Sequence, residues 1–217
     1  MKKLLILFVS IFFLSEAVAQ KNDNPAFFLK TNKKKIEIIV EAAKFYPGES
    51  VADIGAGLGW VDAALGIYQD SLNFSLEDID SSFQVKSRLQ EALTEYSKER
   101  ERPITCSYTY VIGTEQSTLL PDTTFDKVLL IDTYHHLKYR DEMISDIFRI
   151  LKPGGKLIVH EPVGNKPNVI YKPCRSLIQT SDELISYIRE KGFDLEGMFD
   201  NGRSAGEKVK VFVFGRW

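Results

Sequence analysis

From Glu49 onward, short apolar runs alternate with stretches whose apolar residues recur every three or four positions, the mark of strands alternating with helices around a mostly parallel sheet. Ser50–Ile54, Leu72–Glu77, Ile104–Ile112, Phe125–Asp132 and Lys156–His160 are the five predicted strands. Val128-Leu129-Leu130-Ile131 is apolar at every position, as a strand buried on both faces would be, so the fourth strand is expected at the sheet centre. Helices are predicted from the glycine turn to about Gln69, from Ser81 to about Arg100, from Asp141 to Leu151 and from Ser181 to Lys191. The second of these carries Phe83, Val85, Leu89, Ala92, Leu93 and Tyr96 on its apolar side, with Asp80 or Ser81 as its cap. Ahead of the first strand, Ile36, Ile39, Val40, Ala43 and Phe45 fall at helical spacing and stop at Pro47-Gly48. The basic run Lys33–Lys35 opens that helix and is expected to be solvated. The tail departs from the alternation: Phe193–Phe199 and Lys208–Gly215 are joined by a helix-free loop containing Asn201-Gly202, which predicts an antiparallel hairpin.

At 217 residues and 44% hydrophobic, the chain suits one globular domain with a full core. A formal net charge of -2 leaves no basic excess for phosphate backbones, so a small-molecule or protein partner is expected and nucleic acid is not. Lys2 and Lys3 precede the apolar run Leu4–Leu14, and Ala17-Val18-Ala19 closes it with a small-x-small pattern. Residues 1–19 therefore read as a signal peptide cleaved after Ala19, followed by an N-terminal segment and leading helix over 20–48 and the main domain over 49–217. The apolar run is shorter than the roughly 20 residues a spanning helix needs. An exported, periplasmic protein without stable membrane insertion is the expectation, with an uncleaved membrane anchor as the alternative. Cys106 and Cys174 are expected to be free, buried thiols, and no Cys/His spacing resembles a metal site, so no metal is expected.

The candidate chemistry starts at Val51-Ala52-Asp53-Ile54-Gly55-Ala56-Gly57-Leu58-Gly59, a strand running into a glycine turn and then a helix. Glycines allow a sharp turn and close approach to a ligand, and the amides of the following helix favour an anion. A dinucleotide fingerprint needs a glycine where Trp60 stands, which opposes a nicotinamide oxidoreductase. The second strand ends Glu77-Asp78-Ile79-Asp80, about twenty residues beyond the loop, where a carboxylate can accept from both hydroxyls of a ribose. His135 and His136, with Tyr134 and Asp132 beside them, sit at the end of the fourth strand, on the sheet edge where open α/β folds bind ligands. An imidazole there titrates near neutrality and is a candidate general base, the alternative being a structural hydrogen-bonder.

Four ordered segments, Asp53-x-Gly55-x-Gly57-x-Gly59, Glu77-Asp78-Ile79, Leu120-Pro121-Asp122 through Phe125-Asp126, and Leu151-Lys152-Pro153-Gly154-Gly155, resemble the class I S-adenosylmethionine (SAM) dependent methyltransferases of the type 11-like kind. The resemblance spans about Glu49 to Glu161. It implies a three-layer α/β/α Rossmann-like fold with strand order 3-2-1-4-5-7-6 and a C-terminal antiparallel hairpin, with SAM as cofactor. Carried over, Gly55 and Gly57 lie against the methionyl and ribose portion, Asp53 orients the amino group, Asp78 (with Glu77 adjacent) holds the ribose, and Gly59 is a packing glycine. Glu115 or Gln116 reaches the adenine, although Gly113-Thr114-Glu115-Gln116 departs from the family's Gly-Asp-Ala. Asp132 adjoins the cofactor, and Tyr134, His135 and His136 face the methyl acceptor, whose outer wall comes from Phe27, Phe28 and the stretch Glu161–Arg175. The competing readings are a non-catalytic nucleoside- or metabolite-binding module on the same fold, and an oxidoreductase.

Overall fold

A computed structural model describes residues 24–217. The leader expected over residues 1–19 lies outside the described residues.

Helix α1 (Pro25–Ala43) begins earlier than the apolar spacing implies, because Asn24 Oδ1 accepts from the Phe27 amide at 3.1 Å and Pro25 occupies the first position, where its missing N–H costs nothing. Strand β1 (Ser50–Ile54) leads into α2 (Trp60–Tyr68), then β2 (Asn73–Asp78). A 3-10 turn, Ser81–Phe83, capped by Asp80, precedes α3 (Lys86–Glu99). The predicted single helix is thus split, and Phe83 and Val85 stand exposed rather than on its buried face. β3 (Ser107–Ile112) and β4 (Phe125–Ile131) follow, then a 3-10 turn at Tyr134–His136 and α4 (Arg140–Ile150). β5 (Leu151–Val163) is longer than expected at both ends, since it pairs with its antiparallel neighbour out to Val163. A two-stranded ribbon unseen in the sequence, β6 (Val169–Tyr171) and β7 (Ser176–Ile178), precedes α5 (Ser181–Glu190), which opens with a Thr180–Glu183 capping box. β8 (Phe193–Ser204) and β9 (Glu207–Arg216) close the chain.

The seven-stranded sheet runs β3-β2-β1-β4-β5-β9-β8, the order expected, parallel except where β9 pairs with β5 and β8. Side chains alternate across it. Val51, Leu129 and Val213 face α1, α2 and α3 together with Ile36, Ala63 and Leu89, whereas Ala52, Val128, Leu130 and Phe214 face α4 and α5 with Ile147 and Leu184. Two cores on one sheet make the three layers.

The terminal hairpin does not turn where the sequence suggests. Asn201-Gly202 forms a bulge within β8, with a register shift between Asp200 and Arg203, and the two-residue turn is Ala205-Gly206, both at positive φ (48° and 95°). The cysteines are free as expected, but Cys174 is exposed and Cys106 only partly covered.

Candidate active site

Two recesses open side by side at the C-terminal edge of the parallel strands. The first, of about 500 Å³, has Gly55, Gly57, Glu77, Asp78, Thr114 and Glu115 along one side and an apolar floor of Ile54, Ile131, Leu137 and Met143. The glycine loop is fastened to β2: the amides of Gly55 and Ala56 donate to the Glu77 carbonyl at 2.9 Å, and that of Gly57 to Asp78 Oδ2 at 3.0 Å. These loop amides therefore serve the fold. The three glycines differ in purpose. A Cβ on Gly55 would meet Thr133 Cγ2 at 2.6 Å and one on Gly59 Leu76 Cδ1 at 2.7 Å, while one on Gly57 would meet nothing and project into open space. Gly59 is therefore a packing glycine, as expected.

Beneath the loop lies a buried set of acids. Asp53 does not line the recess; it sits under the loop beside Asp62, and burial, then the charge of Asp62, pushes its carboxyl well above the usual range. Burial likewise raises Asp62 to about 7 and Glu77 to about 8. Glu77 is 1% exposed, lines the recess, and keeps Oε1 without a partner among the described residues. Asp78 spends one oxygen on Gly57 and the other on the Asp80 amide at 2.9 Å. Of the adenine candidates, Glu115 lines the recess and pairs with Lys138 at 2.9 Å, whereas Gln116 is exposed outside it.

The second recess, of about 510 Å³, lies between α1, the 3-10 turn at Tyr134–His136, the β6–β7 ribbon and the β8 bulge. Asp132 and His136 line both recesses. Asp132 has φ 56°, a strained conformation for a residue with a side chain, and its position is over-determined. Its amide donates to the His160 carbonyl at 2.9 Å, Lys35 Nζ reaches Oδ2 at 3.1 Å, and His160 Nδ1 reaches Oδ1 at 2.9 Å. Burial raises the Asp132 carboxyl, but the hydrogen bond and charge of His160, followed by those of Lys35, outweigh it and hold the group below the usual carboxylate range. On the far side of the ring, Asn201 Nδ2 lies 2.8 Å from His160 Nε2. Lys35 is therefore a half-buried, ion-paired partner of the site rather than a fully solvated charge, and it, His160 and Asn201 are residues that local sequence pattern did not single out.

His135 is buried, and its Nδ1 shares a 2.5 Å hydrogen bond with Glu161 Oε1, so Nε2 is left for the recess that the ring lines. His136 is exposed; burial of part of its ring and then the neighbouring His135 lower its pKa. Tyr134 corrects the expectation: it points away, 1% exposed in the core over α4, with its hydroxyl donating to Gln179 Oε1 at 2.8 Å and Arg140 over its ring. It lines neither recess. Trp60 also packs, edge-on against Phe28 at 5.6 Å. The outer wall comes from Thr31, Asn32 and Lys34, one turn beyond Phe27 and Phe28, and from Tyr171, Pro173 and Cys174 as expected for the second stretch.

Residues 52–159 match the family described as a methyltransferase domain. Among curated proteins, the chain is 27% identical over 167 residues to phosphoethanolamine N-methyltransferase 1 of Arabidopsis thaliana, covering 77% of this chain and 29% of that protein. It is 30% identical over 152 residues to a ubiquinone/menaquinone biosynthesis C-methyltransferase of Shewanella woodyi, covering 70% and 57%. The chain thus spans less than a third of the plant relative and little over half of the bacterial one. A solved SAM dependent methyltransferase from Aquifex aeolicus superposes with a TM-score of 0.61 at 15% identity over 88% of this chain and 98% of that one, which shows the shared fold. SAM is the cofactor of this kind of domain, and the first recess fits it: an apolar floor, the Asp78 carboxylate and the unpartnered buried oxygen of Glu77 suit a flat base, a diol and a cationic group. Residues 52–159 belong to the methyltransferase domain family, and the protein carries a class I, SAM-dependent methyltransferase fold.

Proposed function

We propose that the protein transfers the methyl group of SAM to a small polar acceptor held in the second recess. One observation carries this reading: Asp132 and His136 line both recesses, so the two adjoin at these side chains and a group held in one is a neighbour of a group held in the other. When bound, SAM supplies a methyl on a sulfonium whose departure is easy, so positioning can supply most of the catalysis. The chain's own part is then orientation and proton handling. His135, fixed from behind by Glu161, presents Nε2 toward the acceptor and takes its proton where the acceptor has one to lose. The Asp132–His160–Asn201–Lys35 network holds the floor between the recesses.

Lys34 and Arg203 stand at the rim of the acceptor recess, with Lys35 inside it. Three cations against Asp132 favour an acceptor that carries a phosphate or carboxylate, which agrees with the phosphoethanolamine named for the plant relative. Calorimetry with SAM, followed by S-adenosylhomocysteine release over an acceptor panel with phosphorylated and unphosphorylated amines, tests the reading. Turnover on an anionic amine, lowered by His135→Ala with SAM affinity unchanged, is the expected result. Absence of SAM binding would refute it.

A further inference from the structure

The β6–β7 turn brings Cys174 over the 3-10 turn that carries the two histidines, a contact the sequence conceals because the residues are far apart in the chain. One donor atom from each of His135, His136 and Cys174 lies within 4.8 Å of the other two, and the imidazole centroids are 4.1 Å apart. Behind them, Glu161, 2% exposed, grips His135 Nδ1 at 2.5 Å and leaves its other oxygen without a partner among the described residues. A carboxylate gripping the far nitrogen of an imidazole is the arrangement that orients metal-ligating histidines. The ring is steadied by Tyr171, edge-on at 5.8 Å.

We propose that His135, His136 and Cys174 bind a thiophilic transition-metal ion of the zinc class inside the acceptor recess. Two imidazole nitrogens and one thiolate suit zinc or cuprous copper and poorly suit magnesium or calcium, which take oxygen donors. Three protein donors leave a fourth position open toward the recess, as in zinc sites that bind a water or a substrate group. A metal there occupies the His135 nitrogen that the proposed transfer uses for the acceptor's proton, so the metal-loaded and base-competent states exclude one another. The inference goes beyond methyl transfer and does not depend on it.

The test is titration of the metal-free full-length protein with zinc against a chromophoric chelator, with cobalt(II) as an optical probe and magnesium as a control. One zinc per chain is expected, with a thiolate-to-cobalt charge-transfer band that Cys174→Ser abolishes. Cys174→Ser and His136→Ala each weaken zinc binding at least about 100-fold, and Glu161→Gln about 10- to 100-fold. Cys174 and His136 are exposed, so these two variants keep the fold, checked by a melting midpoint in chelator within about 2 °C of the parent. Zinc affinity equal in the parent and in the Cys174→Ser/His136→Ala double variant overturns the proposal. SAM calorimetry on the metal-free protein separates the readings: SAM binding without zinc binding removes the metal site alone, and zinc binding without SAM binding removes the transfer reading alone.

Discussion

Gly55 and Gly57 stand two residues apart at similar backbone angles, φ 76° and 54°, yet their alanine variants should fail in different ways. Forcing a Cβ into the left-handed region costs about 1–2 kcal/mol at either position. At Gly55 the new methyl also lands 2.6 and 2.7 Å from the Thr133 side chain, and overpacking of this kind adds about 1–3 kcal/mol. Gly55→Ala should therefore lose about 2–5 kcal/mol, a large part of an ordinary domain's stability. Gly57→Ala loses only the backbone component, because its methyl meets no protein atom, but that methyl projects where the cofactor recess lies. Denaturant unfolding measures the first quantity and SAM calorimetry the second. Gly57→Ala should weaken SAM at least about tenfold, equal to about 1.4 kcal/mol, while losing only the backbone component of about 1–2 kcal/mol in stability. Thr133→Ala in the Gly55→Ala background should return the steric part and leave the backbone part. Parental SAM affinity in Gly57→Ala, or no gain from Thr133→Ala, would refute the account of the loop.

Asp78→Asn keeps the shape of the side chain but removes the charge that Gly57 and Asp80 amides share, so SAM affinity should fall while the melting midpoint drops only modestly; equal affinity would move the ribose contact elsewhere. Glu77 has a folded pKa of about 8 against 4.5 for an ordinary carboxyl, so between those values the native state holds more protons than the unfolded one, and stability falls as pH rises toward 8. Glu77→Gln should flatten that fall and make the protein more stable than the parent at pH 8, read by denaturant midpoints at pH 5 and 8. Arg100 packs its nearly buried guanidinium on both oxygens of Asp70 at 2.9 and 2.6 Å and on the Gly66 carbonyl, remote from both recesses. Arg100→Ala should cost about 3 kcal/mol and leave SAM affinity unchanged. N-terminal sequencing of the protein secreted by a Gram-negative host should begin at Gln20 if the leader is cleaved as its small-x-small pattern suggests; a chain starting at Met1 would favour the anchored alternative.

The strands were legible because burial on two faces leaves a run such as Val128–Ile131, and because turn glycines and proline mark element ends, whereas their order followed only from the family resemblance. What misled was chemistry that outranks local preference. Asn201-Gly202 carries the strongest short hairpin signal, yet Asn201 is drawn out of the ladder to hydrogen-bond His160, and the turn passes to Ala205-Gly206. Tyr134, His135 and His136 are adjacent in sequence, and only the geometry of a 3-10 turn decides that the tyrosine enters the core while the histidines face the recess. Three-residue strands such as β6 and β7 carry too little periodicity to be seen, so the approach of Cys174 to His135 was invisible. Lys35 reads as part of a charged run; its partner Asp132 lies 97 residues away.

The boundary of the family match divides the site along the same line. The cofactor recess is built almost wholly within residues 52–159: Gly55, Gly57, Glu77, Asp78, Glu115 and the 3-10 turn. The second recess takes Asp132, His135 and His136 from that span and the rest of its walls from outside it, from Thr31 to Lys35 on α1, from Tyr171 to Cys174 on the ribbon, and from Asn201 to Ser204 on the bulge. Asp132 joins the halves, since Lys35 on α1 and His160 on β5 hold its two oxygens. On the proposed function, the shared domain binds the methyl donor and the acceptor is read largely by segments around it, on loops and chain ends where specificity ordinarily resides. It follows that Lys35→Met should act on the acceptor side: by freeing one oxygen of Asp132 it loosens the floor between the recesses, raising the KM for the acceptor while leaving SAM affinity within about twofold of the parent. A loss of SAM affinity equal to the loss of acceptor affinity would show that the two halves are not separable.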